Sequence, residues 1–238
     1  MASDRSRALG LAILGLIGLT GPIAADALPE GLMFQPPLAR DVAAMPRLAG
    51  SGGATDKVNA RLDALDRSTL AAMSDCEDGP YRFWERWVDV TLATPGFLGL
   101  VSHSAFYCSG AAHPESFINA VTFDLAVGNE VDWSEFFPSD LRNSKDFSFA
   151  STVLRGSLRL TDVYVEQNAA IDAECREVVA GRPHDFVVYP DSQSASLVLI
   201  PVDLAYAVKA CADPVAIPVP ILRTLGVSHP ILDALSVD

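Results

Sequence analysis

The sequence has few basic residues and lacks the short motifs of several common catalytic and metal-binding classes. Its 238 residues include 17 lysines and arginines against 30 aspartates and glutamates, so the formal net charge is −13. Phosphate binding needs lysine and arginine, and this balance therefore argues against a nucleic-acid-binding scaffold. None of the four cysteines forms a Cys-x-x-Cys pair, and no Gly-x-Ser-x-Gly or Ser-x-x-Lys motif is present. A zinc ribbon, a thioredoxin-like site and the usual serine nucleophiles are not supported.

The composition is that of a folded protein. Half of the residues are apolar and 20% are charged, which excludes a chain that is disordered throughout. The length is enough for one large domain or two small ones with a buried core. We find no internal repeat. These properties define an acidic globular protein and leave its activity open.

The first 27 residues have the order of a secretory signal peptide. Arg5 and Arg7 precede an apolar run over 8–19, and Ala-Asp-Ala at 25–27 offers small residues for cleavage. A retained membrane anchor is the alternative, although the run is shorter than the roughly 20 apolar residues that span a bilayer. We expect cleavage after Ala27 and a periplasmic or secreted product with no stable membrane span.

Two further segments follow the predicted signal peptide. Residues 28–55 are rich in proline and glycine, which predicts a linker or an arm on the surface rather than a packed element. Residues 56–238 form the predicted domain. Its first element is a helix capped by Asp56, with apolar residues such as Val58 and Leu62 spaced to occupy one face.

The middle of the chain predicts strands. Residues 84–94 and 97–108 are rich in aromatic and β-branched residues and flank a Pro-Gly turn, which predicts a hairpin. A third strand is expected over 117–125, followed by a short helical turn capped by Ser134.

The second half predicts one long helical segment over 146–180, then strands over 185–189, 196–202 and 214–218, and a small helix around 221–225. Strands clustered around helices predict an α+β fold with a mainly antiparallel sheet and helices packed on it.

The four cysteines indicate disulfides, because an even number in an exported protein is usually oxidised. They allow three connectivities. We favour Cys76–Cys108 with Cys175–Cys211, since each pair joins neighbouring predicted elements. Four buried free thiols are the alternative.

Residues 106–114 (FYCSGAAHP), 121–128 (VTFDLAVG) and 133–137 (WSEFF) carry a family resemblance. Together they resemble the C-terminal domain of unknown function of RsiV-type anti-sigma factors, which also occurs appended to some peptidoglycan deacetylases. The matching motif positions are Gly110, His113, Pro114, Asp124 and Gly128. The loop reads Ser-Gly-Ala-Ala-His-Pro, so the glycine pair of the family is altered.

The resemblance implies an α+β module of the cell envelope with no established catalytic residues. In RsiV this domain binds lysozyme. The resemblance therefore suggests a basic protein such as lysozyme, or a cell-wall ligand, as the partner of this chain.

The four histidines supply little material for a catalytic or metal site. His103, His113 and Glu115 are the only local cluster with metal-ligand chemistry, and we expect neither a metal nor another cofactor. His113 is expected to hold its turn before Pro114, and Asp124 to serve the turn near Gly128 or to face solvent.

Three functional hypotheses follow. The first is a non-catalytic exported binding module, which an exposed sheet face or edge with apolar side chains would favour. The second is an enzyme acting on peptidoglycan or its fragments, which a pocket with a histidine and a carboxylate in hydrogen-bonding reach would favour. The third is a structural component of the envelope.

Overall fold

The computed structural model describes residues 31–76, 82–143 and 153–236. The predicted signal peptide lies outside the described residues. So do the turn at 78–80 and the first part of the predicted helical segment, up to residue 152.

The described residues form ten strands and six α-helices. In chain order the strands are β1 (Leu32–Met33), β2 (Arg47–Leu48), β3 (Phe83–Ala93), β4 (Phe97–Tyr107), β5 (Glu115–Asp124), β6 (Asn129–Glu130), β7 (Val153–Arg155), β8 (Asp185–Asp191), β9 (Ser196–Pro201) and β10 (Val215–Pro218). The helices are α1 (Gly53–Asp75), α2 (Trp133–Phe136), α3 (Leu158–Gln167), α4 (Ala173–Val179), α5 (Val219–Thr224) and α6 (Ile231–Ala234), with a 3₁₀ helix over Tyr206–Cys211.

The strands make two four-stranded sheets and one short ribbon, all antiparallel. The first sheet has the order β3-β4-β5-β6, the second has the order β10-β9-β8-β7, and β1 pairs with β2. The predicted α+β fold with antiparallel sheets is confirmed.

One face of the first sheet packs against α1. Val58 and Leu62 on the helix are fully buried, together with Leu98 and Leu100 on β4 and Phe123 on β5. Successive side chains of a strand point to opposite faces, so this contact also decides which residues of β3 and β4 lie on the other face.

Strand β8 covers part of that other face. Val187 packs with Val101 on β4 and Ala120 on β5. A Cβ atom at Gly99 would lie 2.9 Å from Cγ of Pro190, closer than carbon atoms pack, so only glycine permits this approach of β8 to β4. The part of the face beyond Val101 remains uncovered.

The larger core lies on the second sheet. It includes Trp133, Tyr164, Phe186, Leu197, Leu199, Ile217, Leu222 and Ile231. These residues come from β8, β9 and β10 and from α2, α3, α5 and α6, so the C-terminal helices are an integral part of the fold.

Within the described part of the proline- and glycine-rich arm, residues 42–48 are packed, contrary to our expectation. Val42 and Met45 are 1% and 3% exposed. The backbone N–H of Met45 donates to Asp66 on α1 over 3.0 Å, and Nη2 of Arg47 donates to the same carboxylate over 2.8 Å. The arm is held by a buried charge that the composition does not reveal.

Arg86 on β3 completes this buried charge network. Its guanidinium pairs with Asp66, and Nε donates to the carbonyl of Ala43 over 2.8 Å. The side chains of Arg86 and Asp66 are 2% and 7% exposed. The arm, α1 and β3 therefore meet at one buried ion pair.

Three local predictions are wrong. Helix α1 begins after Gly52, which leaves Asp56 inside the first turn rather than at the cap. Asp132, not Ser134, caps α2 by accepting a hydrogen bond from the Ser134 N–H over 2.9 Å. The predicted long helical segment contains strand β7, because Val153–Arg155 pairs with β8, and then two separate helices.

The structure joins the two cysteine pairs that the sequence favours. The Cα atoms are 5.2 Å apart in Cys76–Cys108 and 5.0 Å apart in Cys175–Cys211. The first disulfide links the end of α1 to the end of β4, and the second links α4 to the 3₁₀ helix. Among the described helices, none combines the length and the apolar character needed to cross a membrane.

Candidate functional site

The uncovered part of the first sheet, on the side away from α1, is the candidate functional site. We call it the open face and define it by the side chains of Phe83, Glu85, Trp87 and Asp89 on β3, His103 and Ala105 on β4, and Ser116 and Ile118 on β5. None of these side chains is buried, and Phe83 and Trp87 are 41% and 48% exposed. Large apolar side chains at this exposure on a regular sheet indicate a contact surface.

Trp87 and His103 form the centre of the open face. They lie opposite each other in the β3–β4 register, and their rings stack with centroids 5.3 Å apart and planes 8° apart. Nε2 of His103 lies 3.9 Å from the Asp89 carboxylate. Burial lowers the pKa of His103, while Asp89 opposes that change. His103 is therefore neutral at neutral pH, and the carboxylates dominate the charge of this surface.

A cleft of about 210 Å³ borders the open face at β5. Ile118 lines it from the first sheet, and Ile200, Val202 and Leu204 line it from β9 and the following loop. Lys209, from the 3₁₀ helix, lines the same cleft. The cleft is mostly apolar, and its size suits a single large side chain.

The loop that carries the family motif closes one end of this region. Gly110 has a φ of +87°, a left-handed conformation that glycine adopts without strain. Nδ1 of His113 lies 3.2 Å from the Pro114 carbonyl and 3.2 Å from the Glu115 carboxylate. The imidazole also stacks on Tyr206, with ring centroids 3.5 Å apart. His113 thus fixes the loop against the 3₁₀ helix.

Asp124 and Gly128 belong to the turn between β5 and β6. The Asp124 carboxylate accepts a hydrogen bond from the Ala126 N–H over 2.8 Å, and the Gly128 N–H donates to the Asp124 carbonyl over 2.8 Å. Gly128 has a φ of +73°. Both motif residues shape a tight turn, and they lie outside the open face.

The other two histidines are engaged in packing. The fully buried His184 has Nδ1 2.7 Å from the Asp203 carboxylate and Nε2 3.0 Å from the Val179 carbonyl. His229 packs against Phe136, and its Nδ1 accepts a hydrogen bond from the Ile231 N–H over 3.2 Å. No group of three or more histidine, cysteine or acidic side chains among the described residues could hold a metal ion.

The free energy of unfolding should decrease as the pH drops below 6.5, the ordinary pKa of histidine. Burial lowers the pKa of His229 below 6.5, so the unfolded chain binds the proton at a higher pH than the folded chain does. The stabilising contribution is present above pH 6.5 and is lost below it. Urea unfolding at pH 7.5 and 5.5 should show a smaller pH-dependent loss in His229→Gln than in the wild type. An equal loss in both proteins would contradict this assignment.

The sequence suggested only part of this site. Trp87 and His103 lie in predicted strands, and Glu115 follows the motif loop. An aromatic residue in a strand is more often buried than exposed, so the sequence alone favours Trp87 as a core residue. Tyr206 and Lys209 come from a 3₁₀ helix about a hundred residues later, and no local pattern marks them. The Cys175–Cys211 pairing was the one sequence signal that this helix is fixed near other elements.

Several solved structures are similar to this chain, and two of them are DUF3298 family proteins. No family model matches the chain, and no curated protein matches it. A crystal structure of a DUF3298 family member from Bacteroides fragilis has 15% identity, covers 76% of this chain and 68% of its own, and gives a TM-score of 0.48. A DUF3298 family protein from Pseudomonas aeruginosa has 18% identity, covers 72% and 71% of the two chains, and gives a TM-score of 0.43. These neighbours belong to a family of domains of unknown function.

Proposed function

We propose that this chain is an exported, non-catalytic binding module of the cell envelope that binds a basic protein through its open face. The observation that carries the proposal is the half-exposed Trp87 on an uncovered sheet face of a strongly acidic chain. Exposed aromatic residues on a rigid sheet supply contact area at little cost in conformational entropy.

The negative net charge of the chain supports a basic partner. The formal net charge of −13 creates a negative field that attracts cationic proteins and repels anionic polymers. Glu85 and Asp89 place part of that charge on the open face itself, beside Trp87. The resemblance of residues 106–137 to the RsiV domain supports lysozyme as the first basic protein to test.

Export is supported by two features of different kinds. The predicted signal peptide carries the charge, apolar run and cleavage pattern of secretion. The two disulfides suit an oxidising compartment, where exposed thiols are paired. The periplasm or the exterior is therefore the proposed location.

Binding to basic lysozyme should depend strongly on salt. We expect residues 28–238 to bind at 50 mM NaCl, and raising NaCl to 500 mM should weaken binding by about ten-fold, mainly through slower association. Surface plasmon resonance measures both rates. Acetylated lysozyme, which has lost its lysine charges, is the matched control and should bind weakly at both salt concentrations.

Two results would contradict the proposal. Absence of binding at 50 mM NaCl would remove lysozyme as the partner, and binding that is insensitive to salt would remove the electrostatic explanation. Release of soluble fragments from purified peptidoglycan by the chain alone would favour the alternative function as an enzyme.

A further inference from the structure

The indole ring of Trp87 is held by a stacking contact on one of its faces. That face stacks on His103 in nearly parallel planes, and this contact fixes the orientation of the ring. Trp87 is 48% exposed in spite of that contact. A tryptophan that is held by one contact and remains half-exposed is a ready platform for a planar or cationic group.

Two carboxylates flank this platform along β3. Side chains alternate along a strand, so Glu85, Trp87 and Asp89 all project from the same face of β3, about 6.6 Å apart at each step of two residues. Both acidic residues are exposed, and the Asp89 side chain is 61% exposed. Among the described residues, no lysine or arginine nitrogen lies within 4.0 Å of either carboxylate.

We propose that Glu85, Trp87 and Asp89 form a binding site for one arginine side chain of the basic partner. This inference rests on the proposed function, whose partner it makes specific. The aromatic ring and the two carboxylates complement a cation in shape and in charge.

Arginine suits this arrangement better than lysine. A guanidinium is planar and stacks on an indole, and its N–H donors point outward in the plane towards acceptors on either side. An ammonium group is compact and strongly hydrated, so it would reach one carboxylate at a time. His103 faces the same site and is neutral at neutral pH, so it does not repel the guanidinium.

The first test uses small probes and does not require a protein partner. The chain contains three tryptophans. Trp133 is 1% exposed and Trp84 is partly buried, whereas Trp87 is 48% exposed. In ¹H–¹⁵N spectra at low salt, N-acetyl-arginine amide should shift the indole N–H signal that is missing in Trp87→Leu. N-acetyl-lysine amide should shift it less at the same concentration. No shift of that signal, or an equal shift with both probes, would overturn the proposal.

The second test uses basic lysozyme at 50 mM NaCl. Trp87→Leu and the double variant Glu85→Gln/Asp89→Asn should each weaken binding by about ten-fold, as expected for a buried contact at the centre of an interface. The matched control is Asp162→Asn/Glu166→Gln on α3, which removes the same charge from a helix packed against β10. The control should weaken binding by less than about three-fold.

The outcomes separate this inference from the proposed function. If lysozyme binds the wild type and the Trp87 and carboxylate variants equally, the arginine site is wrong and the binding module stands. If lysozyme does not bind the wild type, the proposed partner is wrong, and the spectra still decide whether the open face recognises arginine. Thermal unfolding of each variant checks that the exposed substitutions leave the fold intact.

Discussion

Replacing Asp66 with alanine should lower the free energy of unfolding by about 3–5 kcal/mol, because the change leaves buried Arg86 without its counter-ion. The same change removes the acceptor for the Met45 N–H and a partner of Arg47. The arm over residues 42–48 would keep its hydrogen bonds to Asn59 and Asp63 but lose its buried polar attachment to α1. Urea unfolding under oxidising conditions measures the effect.

A neighbouring aspartate provides the matched control. Asp63 also pairs with Arg47, but its side chain is 51% exposed, so Asp63→Ala should cost less than about 1 kcal/mol. Adding Arg86→Met to Asp66→Ala should cost much less than Arg86→Met costs alone, because the partner is already absent. Equal losses for Asp63→Ala and Asp66→Ala, or fully additive effects of Asp66→Ala and Arg86→Met, would contradict the buried network.

Removing the second disulfide should have an effect of similar size. The double variant Cys175→Ala/Cys211→Ala should lose about 2–5 kcal/mol, because the bond closes a loop with a sequence separation of 36 residues. The bond also ties α4 to the 3₁₀ helix that presents Tyr206 and Lys209 at the cleft. Local loosening of that helix should therefore accompany the loss of stability.

Thermal and urea unfolding of the wild type and the double variant, with and without reductant, distinguish the contributions of the two disulfides to stability. Reductant should destabilise the wild type more than the double variant, since the variant retains only Cys76–Cys108. Four reactive thiols in the wild type under non-reducing, denaturing conditions would show that neither bond exists in the purified protein. A variant as stable as the wild type would show that the second bond contributes nothing.

Local patterns predicted the hairpin well. Residues in β3 and β4 combine aromatic and β-branched side chains with a Pro-Gly turn, and all of these signals act over a few residues. Strand β7 was missed because its three residues become a strand only by pairing with β8, about thirty residues later. Its apolar residues fit a helical stripe equally well, so periodicity could not decide between the two structures.

The candidate site was likewise only partly predictable from the sequence. The sequence placed Trp87 and His103 on adjacent predicted strands, but it could not show that β8 stops short of them and leaves their face exposed. Burial of Asp66 was equally hidden, because a charged residue in an amphipathic helix usually faces solvent. Both features depend on where distant segments pack, and a local pattern does not contain that information.

Hydrogen–deuterium exchange with and without basic lysozyme tests the proposed binding face most directly. The measurement compares deuterium uptake of residues 28–238 at 50 mM NaCl along the whole chain. We predict slower exchange on binding in peptides that cover residues 83–89 and 103–118, with little change in α1 or α3. Protection confined to α1, α3 or the arm, or no protection anywhere while the complex forms, would contradict the open face as the binding surface.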